Sequence, residues 1–212
     1  MDEMQEALVF DYDGVLADTE FLHWKSWAAL LSQYDIQFTW EEYCSFGRGI
    51  DDAQICEAIR KRVPLPGTDE LSRQNLERKR LVYEWSLAEI PIPQETIKLL
   101  TTLGAYRLGL VTSSERSEVE PILRASAIYE KFDAMVFGED VTVHKPAPDP
   151  YLLVAQKLGV STGIAFEDSR PGLESALAAG FKVVRLEEPK DLTKIVAQSL
   201  RRQTNPTRSL GT

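Results

Sequence analysis

The sequence predicts an α/β fold: a Rossmann-like parallel sheet core into which an α-helical cap subdomain is inserted. Three observations carry this expectation. From about residue 90 onward, short apolar runs alternate with helix-length stretches. Those runs, such as R-L-G-L-V at 107–111 and G-I-A-F at 163–166, are unbroken instead of alternating apolar with polar, the pattern of strands covered on both faces. A first run of this kind, L-V-F at 8–10, stands apart near the N-terminus, separated from the others by helical pattern.

The first strand ends at Asp11. After Asp18, the residues Phe21, Trp24, Trp27, Ala28, Leu31 and Tyr34 recur at spacings of three and four. They form one apolar stripe of a helix, read as packing and not as a cofactor box. A second helix is expected over about 51–63, broken by Pro64, Pro66 and Gly67. A third, about 70–87, carries Arg78-Lys79-Arg80, read as a solvated face. Then come a helix at 95–103, a strand at 107–111, a helix through about Ala125 and a strand at 133–137. A helix at 150–158, a strand at 163–166, a helix at 172–179, a strand at 182–185 and a helix at 191–200 complete the order. Residues 201–212 lack periodicity and are expected to be a frayed tail. The expected division is therefore a core of 1–17 with 89–200, and a helical cap of 18–88.

A chain of 212 residues with 43% hydrophobic content suits one domain carrying a modest insertion. Its net charge of -9 argues against nucleic acid as a partner, which would require a basic face. No stretch approaches the roughly 20 apolar residues of a membrane span. The acidic start M-D-E-M-Q-E carries no secretory leader, so a cytoplasmic location is expected. Cys44 and Cys56 are too far apart for a metal clip and are read as buried or half-buried free thiols.

Chemistry gathers at the carboxyl ends of the predicted strands, where open parallel sheets bind ligands. Asp11 and Asp13, followed by Gly14, end the first strand; Thr112 and Ser113 end the second; Glu167 and Asp168 end the fourth. Lys145 lies in the proline-stiffened loop H-K-P-A-P-D. A strand-end Asp is often just a helix N-cap, and a loop Lys often just faces solvent. Several carboxylates, a hydroxyl and a lysine converging on one edge from separate elements point to a site instead. Carboxylates from two strands can share Mg²⁺, which takes oxygen ligands and keeps several waters. Asp11 and Asp168 are the expected side-chain ligands, with Asp13 contributing its carbonyl and Glu167 joining them or orienting waters. An ionised Asp beside a metal-held phosphoryl group can attack in line. A second carboxyl two residues on can protonate the leaving oxygen and then deprotonate a water. Thr112 or Ser113 and Lys145 can hold the phosphoryl oxygens.

The segments D-Y-D-G-V-L-A-D-T-E, L-V-T-S, K-P-A-P-D and E-D-S, in this order across about 6–187, resemble the haloacid dehalogenase superfamily, in its β-phosphoglucomutase and phosphoglycolate phosphatase branch. The resemblance implies that Asp11 is the nucleophile and Asp13 the general acid/base. It implies Thr112 and Lys145 as phosphoryl ligands and Asp168, helped by Glu167, as completing the Mg²⁺ site. The cap would be a lid that excludes water and supplies specificity contacts. Asp13 favours phosphate esters, since members that cleave carbon–halogen or carbon–phosphorus bonds generally lack an Asp at that place.

Thr19 and His23 stand where the resembling mutases carry a hinge Thr and a cap-helix His. In the cap loop C-S-F-G-R-G-I-D-D, Phe46 and Ile50 fall where those mutases place a lysine and the arginine that grips a second phosphate. Arg48 is nearby and can substitute. Substrate contacts are thus expected from Gly14, Ser113, Thr19, His23 and Arg48. His144 is read as an exposed loop histidine. The departure at Phe46 and Ile50 favours a phosphatase acting on a small phosphorylated metabolite. A β-phosphoglucomutase-like mutase and a non-catalytic binding protein on the same scaffold are the alternatives.

Overall fold

The computed structural model describes residues 7–50, 52–61, 77, 80–82, 84–85, 88–89 and 91–204, with side chains omitted at 52 and 202–204. Five parallel strands form one sheet: β1 (Ala7–Phe10), β2 (Arg107–Val111), β3 (Ala134–Val136), β4 (Gly163–Glu167) and β5 (Lys182–Arg185), in the order β3-β2-β1-β4-β5. β1 is central: Phe10 lies opposite Leu110 on one side and Phe166 on the other. Strands β1 and β4 are buried along their whole length, which explains why neither alternates in sequence.

Side chains of β1 point alternately to two apolar layers. Leu8 and Phe10 join one layer with α4 (Gln94–Thr102), α5 (Arg116–Ala125) and α8 (Leu192–Thr204). Ala7 and Val9 join the other with α6 (Asp149–Leu158) and α7 (Arg170–Ala178). The Phe10 and Phe166 rings stack 5.0 Å apart across the β1–β4 pair. Burying each such ring contributes about 1.5–3 kcal/mol.

Between β1 and β2 lie α1 (Glu20–Ser32), α2 (Trp40–Glu42), a π-helical turn at Tyr43–Gly47 and α3 (Asp52–Arg60). Trp27, Leu30, Leu31, Phe38, Tyr43, Ile55 and Ile59 make a separate apolar cluster there. Thr39 caps α2 reciprocally with Glu42. Among the described residues, no helix is long and apolar enough to cross a membrane.

Several expectations need correction. The α1 stripe is not buried throughout: Phe21 is 53% exposed and packs on Trp24 and Trp40 at the surface, and Tyr34 lies beyond the helix end. Cys44 is exposed and only Cys56 is half-buried, and neither forms a disulfide. The last helix continues through Thr204, four residues into the expected tail, because the pattern of Leu192 and Val196 packing on the core carries the backbone on. Most of the expected 70–87 helix, with Arg78 and Lys79, lies outside the described residues. Arg80 is described; it is exposed and pairs with Glu77 and Glu84, as a solvated face requires.

Candidate active site

The strand ends deliver Asp11, Thr112 and Asp168 to one edge of the sheet, as parallel register demands. The Asp11 amide still bonds to the Phe166 carbonyl (3.1 Å), so the carboxylate leaves the sheet from an anchored backbone. The chain then turns: the Tyr12 carbonyl accepts from the amides of Leu16 and Ala17, both at 3.0 Å. Gly14 sits in this turn at φ +74°, and a Cβ there would overlap Oδ2 of Asp168. Only glycine tolerates both the left-handed backbone and the close approach.

Asp11, Glu167 and Asp168 are buried, and each offers a carboxylate oxygen within 4.8 Å of the others. Lys145, 2% exposed, donates to Asp11 Oδ1 (3.1 Å) and to Glu167 Oε1 (2.7 Å). Tyr151, from the first turn of α6, donates to the same Oε1 at 2.5 Å. Burial, then the Glu167 charge, pushes the Asp11 carboxyl well above its usual range, and Lys145 opposes this. Burial likewise disfavours the Lys145 ammonium, but Asp11 and Glu167 outweigh it and raise its pKa.

Asp13 faces the other way, toward α1. Its Oδ1 accepts from Thr19 Oγ1 and lies 3.3 Å from His23 Nε2; its Oδ2 accepts from Ser114 Oγ at 2.7 Å. Burial would raise its pKa, but the His23 charge and the bonds from His23, Thr19 and Ser114 hold it at about 2. Thr112 Oγ1 is 3.4 Å from Asp13 Oδ2 and accepts from the Ser114 amide at 3.0 Å, which folds the strand end over Asp13.

A cavity of about 380 Å³ opens above these groups. Asp11, Asp13, Ser113, Ser114 and Lys145 line its floor side, and Glu20, His23, Tyr43 and Ile50 line it from the helical insertion. Glu20 is 5% exposed and accepts from the Tyr43 hydroxyl at 2.7 Å. Burial, then the Asp13 charge, lifts its pKa to about 7 against the pull of His23, Tyr43 and Arg48.

The geometry thus brings Asp11, Lys145, Glu167 and Asp168 into one cluster and Asp13, Thr19, His23 and Thr112 into a second beside it. Ser113 lines the cavity, and Gly14 packs against Asp168. Arg48 is not directed to the open cavity; its guanidinium bonds to Asp168. His144, expected in solvent, is half-buried and lines the cavity beside Lys145. Phe46 packs on Phe38 with ring centres 5.6 Å apart. Sequence reasoning missed Ser114, Tyr151 and Glu20. Glu20 closes the quoted D-T-E segment and Ser114 follows Ser113, so both stood next to recognised positions; Tyr151 gave no signal.

A hard divalent cation fits these residues. The three carboxylates are all oxygen donors, and among the described residues Oδ1 of Asp168 is buried without a hydrogen-bond partner.

The family model for haloacid dehalogenase-like hydrolases matches residues 8–186. The chain is 32% identical over 190 residues to the fructose-1-phosphate phosphatase YqaB of Escherichia coli, covering 87% of this chain and 97% of that one. It is 31% identical over 180 residues to a phosphorylated carbohydrates phosphatase of Thermotoga maritima, covering 84% and 82%. The crystal structure of CbbY from Rhodobacter sphaeroides in complex with phosphate superposes with a TM-score of 0.72 at 27% identity, covering 85% of each chain.

Proposed function

Because the chain belongs to the haloacid dehalogenase-like hydrolase family, we propose that it is a Mg²⁺-dependent phosphatase acting on a small sugar monophosphate through an aspartyl-phosphate intermediate. The observation that carries this reading is the position of Asp11: at the cavity wall, 3.1 Å from Lys145, and grouped with Asp168 and Glu167. The relatives named as sugar-phosphate phosphatases support the substrate class.

A carboxylate oxygen of Asp11 forms a bond to phosphorus as the ester P–O bond breaks. The departing alkoxide takes a proton from Asp13, and the phosphoryl group stays on Asp11. A water then attacks the same phosphorus and gives its proton to Asp13. Inorganic phosphate leaves and Asp11 is restored. Asp13, held near pKa 2 by its partners, is ready for the second step as a carboxylate. For the first step it must carry a proton, so it has to leave Thr19 and His23 when substrate enters. Lys145 offsets charge on the phosphoryl oxygens and, fixed by Glu167, keeps Asp11 aimed. Asp11, Asp168 and the Asp13 carbonyl would hold the Mg²⁺, with Glu167 behind them. When bound, that ion supplies positive charge against the phosphoryl oxygens.

A mutase must grip a second phosphate while its intermediate reorients. Phe46 and Ile50 occupy the places where the resembling mutases carry that grip, and both contribute apolar surface here. This favours hydrolysis. Two cysteines that form no disulfide fit the reducing cytoplasm in which we place the enzyme.

The test is a panel of phosphorylated metabolites, assayed with Mg²⁺ and with EDTA. Release of inorganic phosphate from one or a few sugar monophosphates, lost in EDTA, is expected. An isomerised product formed only with a bisphosphate primer would replace this reading with the mutase.

A further inference from the structure

The carboxylate of Asp168 already has a cation. Arg48, at the end of the π-helical turn, donates from Nε to Oδ2 (2.7 Å), and its Nη2 lies 2.5 Å from the same oxygen as an ion pair. The bond spans 120 residues and ties the helical insertion to the exit of β4. The Asp168 side chain has no exposed surface, and Arg48 keeps only 22% of its own. The backbone around this bond is closely seated. Gly49, at φ +76°, lies so near Ser169 that a Cβ would overlap its Oγ, and a Cβ on Gly14 would overlap Oδ2 of Asp168 and come within 3.2 Å of Arg48 Nη2.

Charge at the sheet edge is therefore shared out before any ion arrives. Lys145 serves Asp11 and Glu167; Arg48 serves Asp168. A divalent cation drawn to these three carboxylates meets a guanidinium on one of them. Two cations on one buried carboxylate repel strongly, since little water screens them. The guanidinium also has somewhere to go. Its Nε is 3.8 Å from Oε1 of Glu20, on α1 and on the same cap side of the cavity.

We propose that Arg48 is a resident counter-cation that competes with the divalent ion for Asp168, so that ion binding loosens the loop at 47–50 from the core and passes Arg48 to Glu20. The proposal rests on the metal-dependent reading above. It makes Arg48 a latch: closed without the ion, released with it. Linkage requires the converse, that whatever removes the latch tightens ion binding by the same factor.

Calorimetric titration of Mg²⁺ into the wild-type protein and into Arg48→Ala and Arg48→Gln tests this. Both variants should bind Mg²⁺ more tightly, by about 5-fold or more. Hydrogen exchange at 47–50 and 168–171 should rise when Mg²⁺ is added to the wild type. It should be high in Arg48→Ala without the ion. If neither neutral variant folds, Arg48→Lys, which keeps the charge without the two-nitrogen fork, should still bind Mg²⁺ more tightly than the wild type. Unchanged or weaker Mg²⁺ affinity in variants that fold would overturn the competition and leave the catalytic reading standing. No Mg²⁺ binding by the wild type or any variant would overturn both.

Discussion

The Lys145 ammonium lies 3.1 Å from Oδ1 of Asp11, a contact across 134 residues of chain, and both side chains are almost wholly buried. A buried lysine and aspartate stabilise each other's charged forms, and each would be costly alone. Glu167 and Tyr151 complete the arrangement from β4 and α6. Four elements thus fix the orientation of one carboxylate at the cavity wall. In the proposed mechanism that carboxylate is the nucleophile.

Asp13→Asn should leave the fold intact and lower kcat by roughly 10²–10⁴-fold, the range for a lost proton transfer. Thermal melting checks the fold, and steady-state kinetics on the best substrate checks the rate. A variant within a factor of about two of wild type would remove Asp13 from the proton-transfer role.

Glu20 links pH to stability. Its folded pKa of about 7 exceeds the ordinary 4.5, so the folded protein holds this proton more tightly than the unfolded chain does. The contribution is full below about 4.5 and is lost as pH rises through about 7. Glu20→Gln removes it. The stability of the wild type relative to Glu20→Gln should fall across that window, by at most about 3 kcal/mol. Urea unfolding of both proteins at several pH values measures the difference; a constant gap would contradict the assignment.

Tyr151→Phe removes a donor from a fully buried carboxylate. It should cost about 1–3 kcal/mol in denaturant unfolding. It should also lower kcat more than it raises KM, because Tyr151 acts on Glu167 and Lys145 and not on substrate. A loss of stability with unaltered kinetics would confine Tyr151 to packing.

Asp168→Asn should weaken Mg²⁺ binding and turnover together, and EDTA should abolish wild-type turnover reversibly. Activity of the wild type in excess EDTA, or tight Mg²⁺ binding by Asp168→Asn, would contradict the carboxylate cluster as the ion's site.

The parallel core was legible because β1, β2, β4 and β5 are short apolar runs closed by turn residues, and their limits fell within a residue or so of 8–10, 107–111, 163–166 and 182–185. The acids were grouped from sequence because ligands bind beyond the carboxyl ends of parallel strands; the register, with Phe10 opposite Phe166, brings the exits of β1 and β4 side by side. What was not legible depends on packing between elements. Tyr151 reads as one more apolar position on α6, and only the fold brings its hydroxyl to Glu167. Arg48 reads as a loop cation facing substrate, yet its partner lies 120 residues away. Phe21 continues the α1 stripe in sequence but falls on its exposed edge, where Trp24 and Trp40 cover it in part.

The most direct measurement is to trap the covalent intermediate. Wild-type protein mixed with a turning-over sugar phosphate is quenched rapidly in acid, digested, and its peptides weighed. One phosphoryl group should appear on the peptide containing Asp11, transiently, and be absent from Asp11→Asn, which should release no phosphate. A phosphoryl group on another residue, or phosphate release by Asp11→Asn at the wild-type rate, would show that Asp11 does not attack phosphorus.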